Sequence, residues 1–255
     1  MTAADIIRIK ELLPTSLGSA EYREQVSRDI LRRSVFSARM ESARYLARIR
    51  DVCAQMLDGR ISQATARDIL GGILERMGLS PQDGGGIANH ASLARLNLVI
   101  DTQTQMAASV ARLSEQTPAV LEMWPAWELV RLEDRDMKRG DWPQRWDAAA
   151  RSVGFEGVSR DYGRMVALKD SPVWQALGDG AGGFRDTLGN PFPPFAFNSG
   201  MGWVDVTREE CEELGLDPDG ASAPAAASLA PDREELARAA EKWGFDYDEI
   251  AKGVA

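Results

Sequence analysis

Through most of the first 117 residues, apolar side chains recur every three or four positions, the period of helices that bury one face. Residues 5–13 predict a short helix ended by Pro14. Ser19 predicts the cap of a second helix, with Tyr22, Val26 and Ile30 on one face. Tyr45, Ile49, Val52, Cys53 and Met56 form the next apolar set. At about 100° per residue these two sets point roughly 120° apart, so one straight helix would expose one of them. A break is therefore expected near Ser34–Ser37. Asp58-Gly59 closes the helix that follows it. Ser62 predicts the cap of a helix carrying Ala66, Ile69, Leu70, Ile73, Leu74 and Met77, stopped at Gly78. A glycine-rich loop spans 79–89. Ser92 then starts a long helix with Leu93, Leu96, Ile100, Met106, Val110 and Leu113, ending before Pro118.

The pattern changes at Trp124–Trp146. Trp127–Leu132 is short, aromatic and β-branched, which predicts a strand. Asp134–Gly140 is too charged to bury and predicts a loop. Asp141 stands as an N-cap, Pro143 suits the first helical turn, and Gly154 suits the end of that helix. Further on, Met165–Leu168 predicts a short strand. Ser171-Pro172 opens a helical turn ending near Leu177. Residues 189–203 are rich in Pro and Phe, which predicts an extended, ordered segment lying over the core, then a strand from Trp203 to Val206. Thr207 with Glu210 predicts a capping box for a helix to Leu214. Asp232 caps a last helix through Trp243, stopped at Gly244, and a turn is expected over Tyr247–Lys252. The expected class is α+β, mainly α: a helical domain over 1–117, a mixed α+β domain over 118–216, a linker over 217–231 and a C-terminal helical tail over 232–255.

Four of the seven tryptophans lie in Trp124–Trp146, interleaved with Arg131, Arg135, Arg139 and Arg145. Two accounts fit. The indoles build a core with solvated arginines around it. Or Trp127, Arg131, Arg135, Arg139, Trp142, Arg145 and Trp146 form a partner-contact surface, since both residue types are enriched at interface hot spots.

Charge changes the picture modestly. The net charge is −9. Residues 1–60 carry 11 basic against 8 acidic side chains, whereas residues 205–255 carry 5 against 14. The acidic end argues against a general nucleic-acid binder. Arg28, Arg32 and Arg33 are the candidate DNA-contact residues on the basic front. No apolar run approaches the ~18 residues of a membrane span. The two cysteines, Cys53 and Cys211, are far apart and predict free thiols.

Candidate chemistry is sparse. His90 is the one histidine and sits beside the glycine-rich loop. No G-x-S-x-G or S-x-x-K is present, since Ser199 has Phe197 two residues before it. One His and two distant Cys do not make a zinc site. Gly178–Gly183 imitates a phosphate loop but lacks the Lys-Ser/Thr that follows one. A carboxylate pair such as Glu128 with Asp134 leaves a hydrolase as the enzymatic alternative. A DNA-binding adaptor is the other. No cofactor, metal or small-molecule substrate is expected.

Five stretches in order carry a resemblance: Phe36-Ser-Ala-Arg39, Leu57-Asp-Gly-Arg-Ile61, Arg95-Leu-Asn-Leu-Val-Ile-Asp-Thr102, Pro125-Ala-Trp-Glu-Leu-Val-Arg131 and Phe192-Pro-Pro-Phe-Ala-Phe-Asn-Ser-Gly-Met201. Over roughly residues 20–215 the chain resembles phage minor head, or head morphogenesis, proteins of the phage Mu F type. The Arg-x-x-His element of that family corresponds to Arg135/Arg139-Gly-Asp-Trp142. Its Pro-Pro segment, which runs into Asn-Cys-Arg-Cys, corresponds to Pro193-Pro194 through Asn198-Ser-Gly-Met201. The histidine and both cysteines are missing here, so no metal-like detail carries over. The resemblance implies a non-enzymatic structural protein at the portal vertex. Its partners would be portal and capsid proteins, with double-stranded DNA as a further candidate and no membrane. Its location would be the virion, and the host cytoplasm before assembly.

Overall fold

Helix occupies 51% of the described residues and strand 10%, the α+β, mainly α class expected. The computed structural model describes residues 1–18, 21, 24–79, 88–134, 139–155, 163–224, 233–242 and 244–246. The expected cap at Ser19, Tyr22, the Gly84–Gly86 loop, Arg135, the end of the 217–231 linker, Asp232, Trp243 and the 247–252 turn lie outside them. The chain forms two compact units, residues 1–108 with 228–255, and residues 109–227. The boundary falls inside the long helix rather than at 117/118.

In the first unit, α1 (Ala3–Ile9) starts from a Thr2 capping box. It ends before Pro14 can, because Glu11–Leu12 (β1) leaves the helix to pair in parallel with Ser34–Val35 (β2). Nothing in the local pattern signals so short a ladder. The expected second helix is interrupted: Ser27 Oγ accepts the Ile30 N–H, and Arg28–Arg33 is a separate helix, α2. The break near Ser34–Ser37 is present as β2. Beyond it run α3 (Ala43–Leu57), capped by Ser42, and α4 (Gln63–Arg76), capped by Ser62. The long helix α5 (Leu93–Ser114) follows, with Ser92 Oγ accepting the Arg95 N–H. Ile6, Ile7, Leu13, Val35, Leu46, Ile49, Leu70 and Ile100 are fully or almost fully buried. Leu93, expected in the apolar stripe of α5, is exposed instead. The C-terminal helix (Arg233–Lys242) buries Leu236 and Ala240, and its Glu235 accepts a hydrogen bond from Ser27 Oγ at 3.0 Å. It is an integral part of this unit rather than a tail.

The second unit is built on an antiparallel sheet in the order β4-β3-β5, with β3 (Ala126–Arg131) between β4 (Val166–Leu168) and β5 (Met201–Val206). A short helix, α6 (Pro118–Met123), capped by Thr117, precedes β3 and has no counterpart in the sequence reading. The register pairs Trp127 with Asp205 and Leu129 with Trp203 on one face, and Ala126 with Val206 and Leu168 on the other. The second face packs on α9 (Arg208–Glu213) through Val166, Cys211 and Leu214. The first face carries the aromatic core and meets α7 (Trp142–Ser152) and α8 (Val173–Gly178). Asp141 precedes α7 but makes no side-chain cap. Its carboxylate turns to Arg145. Gly154, at φ 66°, follows the C-cap of α7 as expected. Both cysteines are free and buried. No helix among the described residues is long and apolar enough to cross a membrane.

Lys10 sits in the first unit at 0% exposure, its Nζ bonded to the neutral Gln103 Oε1 at 3.0 Å. Burial pushes its pKa down to about 7. The folded value lies below the unfolded one, so the unfolded chain holds more protons between about pH 7 and 10.5, and stability rises with pH across that window. Urea unfolding should show a gain of a few kcal/mol from pH 7 to pH 10 in the native chain. Lys10→Met should flatten that rise; an unchanged slope would mean that Lys10 is solvated.

Candidate functional site

The aromatic side chains of the second unit converge on Trp174. Trp127 stacks on Trp203 with ring centroids 3.8 Å apart and planes at 11°. These two are diagonal neighbours on one face of the β3–β5 pair, close enough for large rings to touch. Trp174 stands edge-on to Trp127, Trp146 and Trp203 at 6.2, 5.2 and 5.6 Å and lies parallel to Phe195 at 6.1 Å. Each such pair contributes roughly 0.5–1.5 kcal/mol beyond area burial. Trp127 and Trp146 are each 1% exposed, and Trp142 is buried as well.

Three arginines of the same stretch, Arg131, Arg139 and Arg145, face inward too. Arg145, 6% exposed, makes a two-pronged pair with Asp186, Nη1 to Oδ1 at 2.8 Å and Nη2 to Oδ2 at 3.1 Å. Its Nε donates to Asp141 Oδ2 at 3.0 Å. The guanidinium lies over the rings of Phe184 and Trp142, 4.4 and 5.1 Å from their centroids. Arg139 pairs with the same Asp186 at 2.8 Å and donates to the Phe197 carbonyl at 2.6 Å. Arg131 donates to the carbonyls of Ser199 at 3.1 Å and Arg139 at 2.9 Å. Three guanidiniums thus fasten residues 186–199 onto β3 and α7. That segment is the expected extended stretch, folded back on itself through the Thr187–Ala196 bridge and the Leu188 N–H to Phe195 carbonyl bond of 2.9 Å.

A second charged group closes the other side of the Trp127 ring. Lys169, 1% exposed, donates to Gln116 Oε1 at 2.7 Å and pairs with Asp205 at 2.9 Å, its Nζ 5.2 Å from the ring centroid. Asp205 also takes Arg112 at 2.7 Å and the Trp127 indole N–H at 3.0 Å. Arg112 reaches on to the Trp203 carbonyl at 2.7 Å. Burial alone would raise the Asp205 carboxyl, but Lys169 and Arg112 outweigh it and hold it below the ordinary range.

These positions correct the partner-contact expectation. Trp127, Trp142, Trp146 and Arg145 are core residues, because rings of this size bury more favourably than they dock. Arg131 and Arg139 are half-buried and committed to carbonyls and to Asp186. Among the DNA-contact candidates, Arg28 is exposed. Arg32 is tied to Asp29 at 2.6 Å, and Arg33 lies 3.7 Å from Glu235 and 3.9 Å from Asp29. Both carboxylate oxygens of Glu128 accept from Arg164, at 3.1 and 2.6 Å, so that acid serves an ion pair. The glycine run is packed rather than open: a Cβ on Gly178 would lie 1.8 Å from the Asn190 carbonyl oxygen, and one on Gly180 2.1 Å from that of Phe184. Asp186, Lys169 and Asp205 went unrecognised in the sequence. Residues 131–145 carry four acids of their own beside four arginines and one lysine, so nothing in the local composition called for an acid from elsewhere.

Among the described residues no group of three His, Cys, Asp or Glu is arranged to hold a metal ion. Compared with known proteins, the chain matches no family model, no curated protein and no solved structure.

Burial pushes the Asp186 carboxyl up, but Arg145 and Arg139 win and hold it below its ordinary value. Its stabilisation is therefore present above the unfolded pKa and is lost as pH falls through the folded value. Asp186→Asn should cost about 2–3 kcal/mol at pH 7, with the gap to the native chain closing below about pH 4. Equal stability of the two chains at neutral pH, by urea unfolding, would refute the clamp.

Proposed function

We propose that the chain is a structural minor head protein of a phage or prophage, held against portal and capsid subunits at the portal vertex, and that it makes or breaks no covalent bond. It would reside in the virion, and in the host cytoplasm before assembly. One observation carries the reading. Two of the stretches of the resemblance, Pro125–Arg131 and Phe192–Met201, meet in one place, through the Arg131–Met201 pairing of β3 with β5 and the Arg131 bond to the Ser199 carbonyl. Residues about 70 apart in such an ordered set are expected to meet if they form one inherited unit, and an accidental likeness has no reason to bring them together.

The docking surface must then come from side chains other than the buried indoles. In the second unit Leu132 is 59% exposed and Met123 56%, with Val204 on β5 also exposed. Leu132 lies over Gly202, where a Cβ would come within 2.2 Å of the leucine Cδ1. Large apolar groups left in water beside polar neighbours are the usual raw material of an interface core.

Co-sedimentation of the purified chain with assembled portal rings tests the proposal. The native chain should pellet with the rings. Leu132→Asp should weaken that association about tenfold or more, as removal of a hot spot does, with little change in Tm. Trp127→Ala should instead cost about 3–5 kcal/mol of stability. A native chain that stays in the supernatant under assembly conditions would sink the assignment.

A further inference from the structure

A separate basic cluster lies in the first unit, at the N-terminal end of α5. Arg95 is 7% exposed. Its Nη2 donates to Ser37 Oγ at 2.8 Å and to the Ala38 carbonyl at 3.1 Å, both neutral acceptors. Its Nε is buried with no hydrogen-bond partner. The group that favours its charge is the buried Tyr45 phenol, not an acid.

Two more basic groups stand close to it. His90 is half-buried, five residues before Arg95 in the chain, and the Arg39 backbone favours its imidazolium. Burial, first, and then the charges of Arg95 and Arg39 work the other way and hold its pKa below the ordinary value. Arg39 is exposed and fixed in the left-handed region at φ 58°, its N–H donating to the Leu17 carbonyl at 2.9 Å. The acid near Arg39 is Glu21, whose Oε2 accepts the Gly18 N–H at 2.7 Å. The 22-residue helix adds the positive end of its dipole to the same place.

An unneutralised buried guanidinium costs several kcal/mol, and like charges beside it add to that cost. Lys10 meets the same problem by lowering its own pKa, a route closed to arginine. Among the described residues no acid pairs with Arg95, and an anion supplied from outside would meet that cost. A carboxylate brings one negative charge, whereas a phosphate brings up to about two and three acceptor oxygens, which suits two guanidiniums, an imidazole and a helix N-terminus. We propose that Arg39, His90 and Arg95 form a binding site for a phosphate group, either free phosphate or one on a nucleic-acid backbone. This inference does not rest on the assembly role proposed above, because no portal contact enters it.

His90 is the chain's single histidine, so its ring proton resonances report on the site alone. The full chain is titrated with inorganic phosphate, with a short DNA duplex and with acetate, each at constant ionic strength. Phosphate should raise the His90 pKa by about one pH unit, as an added neighbouring anion does, and the effect should saturate. Arg95→Gln should weaken the phosphate affinity by about tenfold. If that variant fails to fold, Arg39→Asn reads the same site, since asparagine tolerates the left-handed backbone; several-fold weaker binding is expected. A response to the duplex at lower concentration than to phosphate assigns the group to nucleic acid, and a response to phosphate alone assigns it to the free ion. The proposal is overturned if neither ligand moves His90, if acetate moves it equally, or if the folded variants bind phosphate as the native chain does.

Discussion

Asp186 is shared by two guanidiniums, Arg139 and Arg145, and that sharing holds the second unit in its form. Arg145 comes from α7, Arg139 from the loop before it, and Asp186 from the segment that returns toward β5. Without the acid, Arg139 would lose its carboxylate partner and Arg145, lying over the Phe184 and Trp142 rings, would keep only Asp141. With it, the segment 186–199 is drawn down so that Phe195 closes over Trp174 and Trp203. The apolar core shields the buried Arg145 end of the ion pairs from water, which strengthens them. Clamp and core thus depend on each other: the rings give the charges a low-dielectric setting, and the charges place the lid that seals the rings.

Four buried or largely buried cations show how the same penalty is met in different ways. Arg145 has two carboxylates, Asp186 and Asp141. Lys169 has Asp205, Gln116 and an indole face. Lys10 has one neutral amide, and its ammonium gives up its proton near neutrality. Arg95 has a hydroxyl and a carbonyl, and can do neither. The first two cases tie segments of the second unit together. The last two locate the electrostatic stress of the molecule in the first.

Much of the architecture was legible in the residues. Ser42 was not singled out, but Ser62, Ser92 and Thr207 head their helices as expected, and the strand at Trp127 forms within one residue of its expected span. These features rest on local signals, namely caps, period and turn residues. The departures are non-local. The pairing of Glu11–Leu12 with Ser34–Val35 depends on residues about 23 positions away, and so few residues carry no period. The helix at Pro118 is six residues long and buries none of its side chains fully, so no helical alternation of apolar and polar positions announces it. For the candidate site, composition identified the right stretch and assigned it the wrong side. Trp and Arg are enriched both in interfaces and in aromatic cores. Only the whereabouts of Asp186, Phe197 and Ser199 decides between the two, and none of the three has a pattern that links it to Arg139.

The central claim is that Arg139 and Arg145 act within the chain, through Asp186. A double-mutant cycle of Arg145→Met and Asp186→Leu, read by urea unfolding at pH 7, measures that link directly. A coupling energy of about 2 kcal/mol or more between the two sites is expected. Additive losses, with coupling below about 0.5 kcal/mol, would contradict it.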